Sequence, residues 1–233
     1  MNAALSGWLA QALATDAPAL PSAIGQQIWL HVGWSVVLAC LGATLAGRWQ
    51  PDRLAHRAGW PRAVALVLAL WAWVPGPYAP AYWLGLAFQA PSMVAVLWCG
   101  ALLYQRLLPP SPASALAPQA NRSTLLIACV GVLMGWVLLL DTFARLPIQV
   151  YAWGFSPAAL GFLLLLCVLP WLVGPLNMCF GGRSVVMVFV SLLLFAALRL
   201  PTGNVWDAVL DPWLWLVLHG VLVRRLLRAR GAI

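Results

Sequence analysis

The sequence predicts an all-α fold: a polytopic integral membrane helix bundle of about seven transmembrane helices, N-terminus outside and C-terminus inside. Three observations lead there. Hydrophobic residues make up 64% of the 233-residue chain and charged residues 8%, against soluble norms of roughly 45–50% and 25%. Apolar segments near spanning length recur along the whole sequence. The arginines sort almost entirely to one side of the bundle that those segments would build.

There is no Lys and no Glu, so all 13 cations are Arg and all 5 anions are Asp. So few charges cannot cover a soluble domain. That excludes soluble, disordered and nucleic-acid-binding classes, and the net charge of +8 has to be read by membrane side. A retinal Schiff base needs a Lys, so seven helices here do not mean a rhodopsin. Antiporter-type proton paths usually use buried Lys and Glu, and neither is present.

In chain order, residues 1–20 read as a periplasmic interfacial helix. Leu5, Trp8, Leu9, Ala12 and Leu13 recur at helical spacing and form one apolar stripe. No Lys or Arg is present there to make the basic start of a signal peptide. The expected spans are Ile28–Ala46, Pro61–Val74, Tyr82–Leu107, Ser123–Phe143, Pro157–Val173, Ser184–Leu198 and Val209–Leu227. The second and sixth are short, and Arg62, Arg183 and Arg199 extend them by snorkelling. Residues 108–122 form a Pro/Ala-rich cytoplasmic loop.

With seven spans, Arg48, Arg53, Arg57, Arg62, Arg106, Arg122, Arg183, Arg224, Arg225, Arg228 and Arg230 share one side. Only Arg145 and Arg199 take the other, a ratio of 11 to 2. The positive-inside rule makes the first side cytoplasmic. Six spans with Pro61–Val74 re-entrant is the fallback, and it destroys this asymmetry. The chain is thus expected to be one transmembrane domain in a bacterial inner membrane.

Within the spans, Pro91 is expected to kink the third, with Gln89 and Ser92 satisfying the freed backbone groups. Gly131 and Gly135 form a GxxxG step. Ala39, Gly42, Ala43 and Ala46 form a small-residue ridge, suited to close helix contact within or between chains. Most of the 15 Trp are read as an interfacial aromatic belt. Cys40, Cys99, Cys129 and Cys167 fall in cytoplasmic helix halves and Cys179 in a cytoplasmic loop. No CxxC pair exists, so buried, inert thiols are expected.

The polar groups that remain define the candidate site. Asp141, Arg145, Tyr151, Arg199, Asp207 and Asp211 gather at the outer ends of the spans. Asp141 and Arg145 are spaced i, i+4 for an ion pair, and Asp207 or Asp211 is placed to reach Arg199. These groups either cap helices or line an outward-facing cavity. His31 and His219 are intramembrane, and two such residues could ligate one haem b. Their nominal depths, about 5 Å and about 15 Å, oppose it. Each is expected to bond a neighbouring helix instead. No cofactor and no metal site is expected.

No HExxH, DDxxD, Gly-rich phosphate loop or GxSxG elbow is present. The leading expectation is a non-catalytic subunit or assembly factor that packs against other membrane proteins in the lipid bilayer. The alternatives are a permease or solute-binding subunit for a small apolar or zwitterionic compound, and a b-haem electron-transfer subunit. No nucleic-acid partner is expected.

Overall fold

The computed structural model describes residues 19–48, 59–107, 122–172 and 182–230. The interfacial helix expected in residues 1–20 lies almost wholly outside them, as do the 108–122 loop, except Arg122, and Cys179. The described residues form ten α-helices and no strand. They divide into two compact units, one of residues 22–118 and one of residues 1–21 with 119–233.

The first unit contains α1 (Ala23–Arg48), α2 (Trp60–Trp71), α3 (Pro80–Phe88) and α4 (Met93–Leu107). α1 starts five residues before the expected span. Ser22 caps it, its Oγ accepting from Gly25 N at 3.1 Å, the arrangement that makes Ser a favoured N-cap. The polar Gln26 and Gln27 then continue the helix out of the apolar stretch. The small-residue ridge of α1 is taken up inside this unit. A Cβ at Gly42 would collide with Leu68 and approach Val64 of α2 to 3.1 Å. Ala39 and Ala43 cluster with Ala65 of α2. Pro61 inside the first turn of α2 suits a position whose N–H has no helical partner.

The expected third span is broken in two rather than kinked. α3 ends at Phe88, Gln89 adopts φ 60° and ψ −153°, and α4 restarts at Met93. Ser92 Oγ accepts from Ala95 N at 3.1 Å, as anticipated for that residue. The carbonyls at the break are satisfied differently from the expectation. Trp34 Nε1 donates to Gln89 O at 2.9 Å and Trp29 Nε1 donates to Pro91 O at 3.0 Å, both from α1. Gly33, between them, lets Pro91 lie against α1: a Cβ there would come within 2.7 Å of Pro91 Cγ. A short 3-10 turn, Gly76–Tyr78, links α2 to α3. It is held by Trp71 Nε1 on Tyr78 O and Trp83 Nε1 on Pro77 O, each at 2.8 Å.

The second unit contains α5 (Arg122–Thr142), α6 (Val150–Trp153), α7 (Pro157–Leu172), α8 (Arg183–Leu198), α9 (Val205–Val209) and α10 (Pro212–Arg230). The GxxxG step of α5 seats α10. A Cβ at Gly131 would come within 2.6 Å of Leu218, and one at Gly135 would collide with the Trp215 indole. Trp215 Nε1 also donates to Val132 O at 3.1 Å. The expected last span, Val209–Leu227, divides because Asp211 caps a new helix: its Oδ1 accepts from Leu214 N at 2.7 Å, with Pro212 following.

Among the described residues, two helices, Ala23–Arg48 and Leu125–Thr142, are long and apolar enough to cross a membrane. Trp60–Trp71, Met93–Leu107, Pro157–Leu169 and Ser184–Leu198 are shorter apolar helices.

Candidate functional site

The residues singled out in the sequence separate into two places. In the second unit, α5 closes on a left-handed residue, Ala144 at φ 50°. Ala144 N bonds Asp141 O at 2.8 Å and Arg145 N bonds Leu140 O at 2.9 Å. That is the double bond pattern of a Schellman stop. Arg145 therefore lies past the helix, and the i, i+4 geometry expected for its ion pair does not exist. Asp141 turns instead to the next element, its Oδ2 accepting from Tyr151 N at 2.6 Å.

Tyr151, the second residue of α6, reaches the far loop. Its phenol donates to Asp207 Oδ2 at 2.8 Å, and Thr202 Oγ1 donates to the same oxygen at 2.5 Å. Asn204, fully buried, binds the two segments together. Its Nδ2 donates to Tyr151 O and its Oδ1 accepts from Trp206 N, both at 2.9 Å. Val205 N bonds Gly154 O and Trp206 Nε1 bonds Val150 O, again at 2.9 Å. Gly154 lies so close to Asn204 and Trp206 that a Cβ there has no space. Burial raises the Asp207 carboxyl above its ordinary value, while the bonds from Thr202 and Tyr151 pull the other way. Burial and the Asp207 charge together push the Tyr151 phenol up.

Arg199 stays apart from this carboxylate. It ends α8 in the left-handed region, φ 56°, and its guanidinium lies over the Phe195 ring, 5.4 Å from the centroid. Of the six residues proposed from the sequence, Asp141, Tyr151 and Asp207 are joined in one hydrogen-bonded chain. Arg145 is exposed, Arg199 stacks on Phe195, and Asp211 caps α10. Thr202, Asn204, Gly154 and Trp206 were missed. Asn204 carried a local signal, an Asn directly before the apolar VWDAV helix. Its bond to Tyr151, 53 residues away, had none.

The two histidines fall in different units. His31 is eight residues into α1 and His219 seven into α10, about 12 Å and about 10 Å along their helices. The helix that carries His31 begins five residues before the expected span and the one that carries His219 three residues after it. Each ring is held within its own helix, not by a neighbour. His31 Nδ1 bonds Gln27 O at 2.9 Å and His219 Nδ1 bonds Trp215 O at 2.8 Å. Among the described residues, no group of three or more His, Cys, Asp or Glu comes together as a metal site would require.

His31 belongs to the second place. It borders a cleft of about 790 Å³ in the first unit, lined among others by Ile28, Trp73, Gly76, Tyr82 and Leu86. The imidazole lies against Trp73, ring centroids 5.4 Å apart and planes 31° from parallel. Bonding Nδ1–H to the Gln27 carbonyl selects the tautomer in which Nε2 is an acceptor. Gln27 adds a second polar side chain, and the rest of the lining is mainly apolar and aromatic, as small-molecule sites commonly are.

No family model matches the chain, and no curated protein and no solved structure matches it.

Proposed function

We propose that the chain is a multi-pass protein of the bacterial inner membrane, acting as a non-catalytic subunit or assembly factor. Seven spans are counted as α1, α2, α3 together with α4, α5, α7, α8 and α10. The N-terminus is outside, as the distribution of 11 Arg against 2 favours. The observation that best supports the subunit reading is α5. Only 6% of its apolar window, Leu125–Thr142, is buried in the protein. Val130, Leu133, Trp136 and Leu140 are exposed along it. The small residues that let it approach another helix are occupied by α10, so the remaining surface is left to lipid and to other membrane proteins.

A photo-crosslinking residue at Leu133, compared with one at Leu165 of α7, tests this in intact membranes. A discrete protein adduct from Leu133 is expected. Adducts to lipid alone from both positions, with the purified protein monomeric, would overturn the reading.

The cleft at His31 favours a second reading: a binding subunit for a small apolar or zwitterionic solute. Aromatic walls take the apolar part, and His31 Nε2 accepts from a polar head. Quenching of tryptophan emission by candidate solutes, abolished in Trp73→Leu, is the expected result. Equal quenching in that variant would exclude the cleft.

A further inference from the structure

Cys40 and Cys99 are 59 positions apart, in no motif, yet they meet. α1 and α4 run side by side in the same direction. Gly33 of α1 faces Val96 of α4, and the Cβ position of Gly100 is 3.9 Å from Val36 Cγ1. Leu103 packs on the Ala39, Ala43 and Ala65 cluster, and Arg106 Nη1 comes within 3.8 Å of the Cβ position at Gly47. That register, with Cys99 packed on Trp34 and Val37 one turn before Cys40, brings the two thiols within reach of one another. Both are unoxidised. Cys40 is 5% exposed, and Cys99 packs against the cluster of Trp34, Val37, Ala72 and Ala81. The Thr44 hydroxyl donates to the Cys40 carbonyl at 2.7 Å, beside the thiol, and the Arg106 guanidinium is near enough for its charge to act there.

We propose that Cys40 and Cys99 form a two-coordinate thiolate site for a soft monovalent d10 cation, Cu(I). Thiolate sulfur selects soft metals, and the surrounding groups fit this ion better than Zn²⁺. Zinc takes four ligands in its structural sites. Among the described residues, no third His, Cys, Asp or Glu joins this pair. A linear bis-thiolate is complete with two sulfurs. Binding replaces two S–H bonds with two S–Cu bonds and releases two protons, with no change in oxidation state. The resulting group carries one net negative charge. Arg106 offsets that charge. Apolar walls keep water from the metal. This inference is independent of the subunit and solute readings above.

The test is anaerobic titration of the full-length reduced protein with Cu(I), in competition with a chromogenic Cu(I) chelator. One equivalent is expected to be withheld from the chelator by the native chain. A variant carrying Cys129→Ser, Cys167→Ser and Cys179→Ser is expected to withhold it equally. Cys40→Ser and Cys99→Ser should each lose it, and Arg106→Gln should weaken it about tenfold, as outer-shell changes do. X-ray absorption should show two sulfur neighbours and no nitrogen or oxygen neighbour. The proposal is overturned if the triple variant binds nothing, since that result needs no substitution at Cys40 or Cys99. Equal retention by Cys40→Ser and Cys99→Ser, or a third ligand in the absorption spectrum, would overturn it as well.

Discussion

Trp34 Nε1 donates to the main-chain carbonyl of Gln89 at 2.9 Å, tying the middle of α1 to the gap between α3 and α4. The gap frees backbone groups that cannot be left bare in an apolar environment. The indole satisfies one of them from a side chain that is itself only 2% exposed. Trp34→Phe keeps most of the ring volume and removes the donor. It should destabilise the first unit by about 1–3 kcal/mol, the usual penalty for a buried acceptor left without a partner. Thermal denaturation in detergent, followed by near-UV circular dichroism, measures it. Trp98→Phe on α4 serves as the control and should shift the transition far less.

The same break places Gln89 at φ 60° and ψ −153°, a region that suits glycine. Its side chain is exposed. Gln89→Gly should therefore raise thermal stability, by about 1 kcal/mol, where glycine in an ordinary loop would lower it. An unchanged or lower midpoint would mean that the strain is not carried by this residue.

The joint in the second unit is sensitive to one methyl group. Gly154→Ala drives a Cβ into Asn204 and Trp206. A cost of about 1–3 kcal/mol is expected from overpacking, and with it the loss of the bond between Val205 N and Gly154 O. Gly161→Ala, one helix further on, meets nothing within 4 Å and should be neutral or stabilising. Limited proteolysis of the 199–211 segment distinguishes local loosening from global unfolding.

Asp207 provides a pH dependence of definite sign. Burial raises its pKa in the folded state above the unfolded value. Protonation then favours folding. That stabilisation is complete below the unfolded carboxylate range and is lost as pH rises through the folded pKa. Asp207→Asn keeps a carbonyl oxygen to accept from Tyr151 and Thr202 and has no charge to bury. The native chain should lose stability relative to this variant as pH rises above the ordinary carboxylate range, and the variant's profile should be flatter. Parallel profiles would show that the carboxyl is not desolvated.

The proposed topology requires a choice of reporter sites that respects these contacts. A fluorescent protein fused after Ile233 should mature, as it does in the cytoplasm. A periplasm-dependent reporter belongs after Pro147, in the exposed turn between α5 and α6. Inserted between residues 200 and 208, it would split the joint built on Asn204. Reversed signals at both positions would overturn the orientation inferred from the arginines.

What the sequence disclosed followed from local chemistry. Apolar runs located the helices, and Pro91 and Ser92 marked the interruption of the third span, whereas Asp211 and Pro212 fall within the expected last span although they cap its helix. Ser22 could have marked the start of α1, but the glutamines after it obscured where that helix begins. Other contacts left no trace along the chain. Asn204 and Tyr151, or Cys40 and Cys99, are brought together only by helix packing. Spacing rules had nothing to act on there. The ion pairs expected for Arg145 and Arg199 failed for a backbone reason. Arg145 lies beyond a left-handed helix stop and so past the turn that carries Asp141, and Arg199, at such a stop itself, lays its guanidinium back over Phe195 in the turn before.

The tryptophans carry a consequence beyond packing. Among the described residues, the indole N–H groups of Trp29, Trp34, Trp71, Trp83, Trp206 and Trp215 donate to main-chain carbonyls at turns, breaks or helix crossings. An indole does not titrate, and its bond to a carbonyl is not screened by counterions as an ion pair is. Fastenings of this kind hold across acid and alkaline conditions and across ionic strengths that dissolve charge-based contacts. They also make ordinary conservative drift costly. An exchange of Trp for Phe or Leu preserves hydrophobicity while deleting a fastening, so these ring positions should tolerate fewer replacements than the leucines around them.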